Sequence, residues 1–138
     1  IMRMKRNQNN ALLISLTVSF PYHDHFLPDL KKQIDILLVR RLTGSVREDD
    51  TVAKVNDNEY ALILADIHDP AVIPDIISKI NKVFSTPLQV QDQKIQLRLA
   101  IGWSLYPQDG RDPAPLINKA DIAMRTDRLQ QNIHHNQK

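Results

Sequence analysis

Residues 11–19 (Ala-Leu-Leu-Ile-Ser-Leu-Thr-Val-Ser) are almost continuously apolar and stop short of Pro21, the pattern of a strand buried at the centre of a sheet. From Asp29 to Leu42 the period changes. Leu30, Ile34, Leu37, Leu38 and Leu42 share one helical face, Arg40 and Arg41 fall in the last turn, and Gly44 follows as a stop signal, which predicts an amphipathic helix. Residues 51–55 and 60–65 are short β-type runs around Asn56-Asp57-Asn58-Glu59, whose Asn and Asp favour turns, so they read as a hairpin. Asp69-Pro70 is a helix cap followed by proline, and Ile73, Ile76, Ile77, Ile80 and Phe84 continue at helical spacing until Pro87. Ile95, Leu97, Leu99, Ile101, Trp103 and Leu105 alternate with other residues at the period of one strand, with residues 88–90 expected to pair beside it. Asp112-Pro113 repeats the cap signal, and Leu116, Ile117, Ala120, Ala123 and Met124 form the face of a last helix. Beyond Gln130 the polar end predicts fraying.

This order predicts an α+β fold, a ferredoxin-like βαββαβ core with an antiparallel sheet and an extra helix. With 138 residues, 42% apolar and 25% charged, the chain is sized and composed for one globular domain. Lys and Arg exceed Asp and Glu only by 18 to 16, too little for a phosphate-tracking stripe, and seven aromatics show no basic-aromatic strand pattern, so no nucleic-acid partner is expected. The absence of cysteine excludes disulfide scaffolds, thiolate metal sites and cysteine nucleophiles. No apolar run approaches the roughly 18 residues of a membrane span, the polar, basic opening is no signal peptide, and the initial Ile1 suggests a fragment of a longer protein.

Residues 12–17 (Leu-Leu-Ile-Ser-Leu-Thr) occupy the place of a strand of the type Leu-Phe-Ile-Asp-Leu-Asp, and the spacing to an Arg-Leu pair lands on Arg41-Leu42. Asn56-Asp57-Asn58-Glu59-Tyr60 then stands where Gly-Gly-Asp-Glu-Phe would, while residues 100–110 and Ala120-Asp121-Ile122-Ala123-Met124 match two further blocks. On these segments the chain resembles a degenerate GGDEF domain, of the bacterial family of diguanylate cyclases that condense two GTP molecules into cyclic di-GMP. The resemblance implies a nucleotide-cyclase-like fold over residues 11–131, with residues 1–10 ending a preceding helix or linker and residues 132–138 a linker or tail.

Departures from the family pattern gather at its chemistry. Active members hold magnesium with two strand carboxylates and the third signature residue; here those positions are Ser15, Thr17 and Asn58, which supply no negative charge. Asn56 and Asp57 replace glycines that let backbone approach phosphate, and His23 and Lys32 stand where guanine is read, without the acceptor pair that its N1 and N2 donors need. Glu59 is retained, and Arg128 stands for a lysine. The expectation is no catalytic residue, no metal and no cofactor, in a regulatory domain that is not itself an enzyme; the alternative is a weak or unconventional cyclase using substitute ligands.

One family feature is intact. Inhibited cyclases carry Arg-x-x-Asp five residues ahead of the signature, and Arg47 and Asp50 are followed by residues 51–55 before Asn56. Arg can fork onto guanine O6 and N7 while a carboxylate accepts from N1 and N2, so the pair has the chemistry to hold cyclic di-GMP. Equally, Arg47 reads as a solvated loop residue and Asp50 as the cap of a turn. The His23-Asp24-His25 cluster lacks a third ligand at a diagnostic spacing and reads as a solvated loop, His134-His135 as part of the tail, and Trp103 as core. Arg40 and Arg41 beside Arg47 suit a phosphate patch, yet the helix dipole alone accounts for cations there. The partners implied are cyclic di-GMP, a neighbouring domain of the same chain and a second copy in a homodimer. Family habit further implies a cytoplasmic domain, with sensory or membrane segments ahead of it and an EAL-type phosphodiesterase behind it.

Overall fold

The computed structural model describes residues 10–21 and 28–136. Its elements in chain order are β1 (Asn10–Ser19), α1 (Pro28–Gly44), β2 (Thr51–Asn56), β3 (Glu59–Ile67), a 3-10 turn (Pro70–Val72), α2 (Ile73–Phe84), β4 (Leu88–Val90), β5 (Gln93–Ile95), β6 (Arg98–Tyr106) and α3 (Pro113–Asn136). The main sheet has the order β2-β3-β1-β6 with every neighbouring pair antiparallel, the expected ferredoxin-like arrangement.

Strand parity divides the residues of β1 between two faces. Leu12, Ile14, Leu16 and Val18 have no exposed surface and meet Ile34, Leu38 and Leu42 of α1 and Ile73, Ile80 and Phe84 of α2 in the core. The other face carries Ser15 and Thr17 towards α3. Both faces of β1 are thus covered, which is why its sequence reads as a continuous apolar run. The hairpin is tighter than the sequence suggests: β2 runs to Asn56 and β3 begins at Glu59, so only Asp57 and Asn58 turn, with Asn58 at φ 62°.

Three expectations need correction. The alternation from Ile95 to Leu105 is not one strand, because Gln93–Ile95 folds back on Leu88–Val90 as a separate two-stranded sheet, turning at Gln91 (φ 53°). The last helix does not fray at Gln130 but continues to Asn136. Its late turns are anchored: Gln131 Nε2 donates to the Leu99 carbonyl (2.7 Å), and the Asp127 carboxylate accepts from Ile101 N–H (2.9 Å). Trp103 lies at the edge strand β6 and is 37% exposed, not core. Asp69 does cap as expected, accepting from Ala71 N–H at 3.0 Å, although the turn it starts is 3-10 before α2 proper.

Arg41 has a structural partner set. Its guanidinium reaches the carbonyls of Val83, Thr86 and Pro87, satisfying acceptors at and just beyond the end of α2. That tie joins the two helices and leaves Arg41 engaged rather than offered as a phosphate patch.

Candidate functional site

Antiparallel register brings the hairpin turn beside the end of β1. Thr17 lies opposite Glu59 and Ser15 opposite Ala61, while Val18 N–H donates to the Asn58 carbonyl at 2.9 Å. The positions singled out by sequence therefore share one end of the sheet. Their side chains are turned into the fold, however. Ser15 Oγ donates to Asp121 Oδ1 at 2.8 Å and Thr17 Oγ1 to Met124 Sδ at 3.0 Å, both on α3, and both residues are buried. A magnesium-type ion needs several hard oxygen donors, preferably anionic. Ser15 and Thr17 are neutral and already bonded, and no group of three or more His, Cys, Asp or Glu able to hold a metal occurs among the described residues. The residues present do not fit that ion.

On the core side of the hairpin, Tyr60 is 1% exposed and its hydroxyl approaches Asp35 Oδ1 at 3.4 Å. Burial, with the Asp35 charge beside it, pushes the phenol well above its ordinary pKa. Lys54 Nζ bonds Asp35 Oδ2 at 2.8 Å, and that bond raises the ammonium's pKa despite some desolvation. Asp57 at the turn is almost fully exposed, its side chain 88% accessible, so the tip of the hairpin presents an anion to solvent.

Arg47 and Asp50 are brought together as an internal turn. Asp50 Oδ2 accepts from Arg47 N–H (2.9 Å), Oδ1 accepts from Ala65 N–H (3.1 Å), and Asp50 N–H returns to the Arg47 carbonyl (3.0 Å). The Asp50 side chain is 2% exposed, whereas that of Arg47 is 61% exposed. Arg47 Nη2 donates to the Ala65 carbonyl, and its Nε stands 3.5 Å from Asp50 Oδ2. The motif thus braces the loop after α1 against the end of β3 while holding a guanidinium at the surface. Both residues line an open cleft of about 430 Å3, with Lys79 of α2 and His68 adding nitrogen donors and Asp66 and Asp69 adding carboxylates.

His23 and the His23-Asp24-His25 cluster lie outside the described residues, as do the side chains of His134 and His135. Lys32 and Arg128 are exposed on α1 and α3. Sequence reasoning missed Asp121 and Met124 as the partners of Ser15 and Thr17. Their only signal was membership of the segment Ala120-Asp121-Ile122-Ala123-Met124, which matches a family block without saying what it touches.

The model of the family described as "Diguanylate cyclase, GGDEF domain" matches residues 35–134. The chain is 31% identical over 102 residues to the bifunctional diguanylate cyclase/cyclic di-GMP phosphodiesterase MucR of Pseudomonas aeruginosa, covering 74% of this chain and 14% of that protein. It is 33% identical over 88 residues to the diguanylate cyclase TpbB of the same species, covering 63% of this chain and 20% of that one. The chain therefore spans a fifth or less of the length of these relatives. Its fold superposes on the crystal structure of the GGDEF domain of TpbB with a TM-score of 0.86 at 23% identity, over 94% of this chain and 82% of that one.

Proposed function

The chain belongs to the GGDEF family, and from that premise we propose that it is a catalytically inactive regulatory domain of a bacterial cyclic di-GMP signalling protein. The observation that carries this reading is the pair of buried hydroxyls, Ser15 bonded to Asp121 and Thr17 to Met124, at the strand positions where the family pattern has carboxylates. A cyclase must activate a ribose hydroxyl and stabilise charge on a triphosphate, and neutral groups already committed to α3 provide neither. Asn58 and the exposed Asp57 in the signature turn act in the same direction.

Regulation would run through cyclic di-GMP held at the cleft of Arg47 and Asp50, with Arg47 forking onto a guanine and Asp50 fixing the loop that presents it. The state of that cleft would pass to an attached domain such as an EAL phosphodiesterase, a reading supported by the two activities in the name of MucR. The domain would work in the cytoplasm, as part of a parent protein that is anchored to a membrane or free of it.

The test is turnover of GTP with magnesium or manganese, read by chromatography, alongside calorimetric titration with cyclic di-GMP. No product, and heat that saturates below a millimolar, are expected. A specific observation favours the second reading, a weak or unconventional cyclase: relatives near one-third identity are named diguanylate cyclases, and Glu59 is retained. Metal-dependent cyclic di-GMP above the heat-denatured control, at any rate, would establish it and overturn the first.

A further inference from the structure

The outer face of the sheet is only half covered. α3 lies over β6 and β1, leaving the same side of β3 and β2 bare, and three large exposed hydrophobic side chains converge on the gap: Val55 (59%), Ile63 (46%) and Ile117 (50%). Between them opens a cleft of about 380 Å3 with a floor at Leu13 and Ala61. It lies against the opposite face of β3 from the Arg47 cleft, which reaches that strand at Leu64.

The polar side chains of the lining belong to Ser15, Asp121, Tyr106 and Arg111. Ser15 and Asp121 close the inner end, with the hydroxyl committed to the carboxylate at 2.8 Å. Arg111, in the loop ahead of α3, is exposed and has no ion-pair partner among the described residues. Apolar walls with one unpaired guanidinium are the lining of a site for an amphiphilic acid.

We propose that this cleft binds a small lipophilic acid, its aromatic or branched body against Val55, Ile63 and Ile117 and its carboxylate or sulfonate on Arg111. The volume falls within the ~300–1,000 Å3 of small-molecule sites. A nucleotide is a poor occupant, because its sugar and several charged phosphate oxygens would face mostly apolar walls with one guanidinium, whereas a lipophilic acid sets its single anionic group on Arg111, at the rim and away from Asp121.

Anilinonaphthalene sulfonate has this chemistry and reports binding by fluorescence. With the full chain, a saturable one-to-one rise in emission is expected. Arg111→Ala should weaken it roughly tenfold or more, the scale of a lost charge-assisted bond, and uncharged phenylnaphthylamine should bind without regard to that change. Ile63→Glu and, on the other wall, Val55→Glu should each abolish the signal. Both side chains are already substantially exposed, so the variants should keep the wild-type circular dichroism spectrum. Leu129→Glu, at an exposed position on α3 away from the cleft, should change nothing. Emission that survives both cleft variants, or sulfonate affinity indifferent to Arg111, would overturn the proposal. So would a dimer in sedimentation that Ile63→Glu separates, since the cleft would then belong to a second copy.

Discussion

Asp50 holds two backbone N–H groups on a carboxylate that is nearly absent from the surface, while Arg47 beside it is mostly solvated. The two positions should therefore separate in experiment. Asp50→Ala strands two amides and should lower stability by about 1–3 kcal/mol in urea titrations, whereas Arg47→Ala should cost less than about 1 kcal/mol and fall mainly on cyclic di-GMP affinity. Equal stability losses would make both residues framework. Asp109 offers a pH-dependent case. Burial opposes its ionisation, but bonds from Lys119 and Leu105 N–H and the ammonium's charge outweigh that and hold its pKa below the ordinary carboxylate value. Its stabilisation is complete above the unfolded pKa near ~4 and is lost as pH falls through the lower folded value. The stability gap between wild type and Asp109→Asn should therefore be full at pH 6 and close in that acidic range, as followed by thermal melts. At this scale the sequence revealed the chemical character of positions 15, 17 and 58, since Ser, Thr and Asn carry no charge wherever they fold. It could not reveal the partners of Ser15 and Thr17, because Asp121 and Met124 lie more than a hundred residues away and no periodicity encodes such a contact.

Elements were legible where hydrophobic period and caps agreed, as in α1 and α2, and misread where two elements shared one period. The alternation from Ile95 to Leu105 continues across the break between β5 and β6 at Gln96 and Leu97, so the period itself does not mark it. The end of α3 was hidden for another reason: its last turns are polar because Asp127 and Gln131 bond the edge strand. The closest approach of α3 is at Gly102, where an added Cβ would meet the backbone of Ala120, Ala123 and Met124. Gly102→Ala should accordingly push the helix from the sheet and destabilise by about 1–3 kcal/mol. The same shift should disturb the Ser15 and Thr17 bonds, visible as faster amide exchange along α3. An unchanged melting temperature would mean that the helix seats further out.

As a whole molecule, the domain builds one continuous core around its four-stranded sheet, and the chain belongs to the GGDEF family. If its task is to set the state of a neighbour, deleting residues 11–124 from the parent protein should change that neighbour's phosphodiesterase rate or localisation, and an unaltered parent in both assays would count against regulation. Fold and family were readable because the core pattern spans the chain; the outer cleft was not, since Val55, Ile63 and Ile117 look like ordinary β and helical positions until the sheet's coverage is known. The two margins of the sheet also differ in kind. On β6, Asp127, Gln131 and Asp109 occupy the Ile101 N–H, the Leu99 carbonyl and the Leu105 N–H, while β2 is paired on one side only. Fibre growth by strand addition requires two reactive ends on every unit, because each arrival must leave a place for the next. In the language of polymerisation the four-stranded sheet offers one fully open margin, β2, so association through that margin pairs two copies and then terminates.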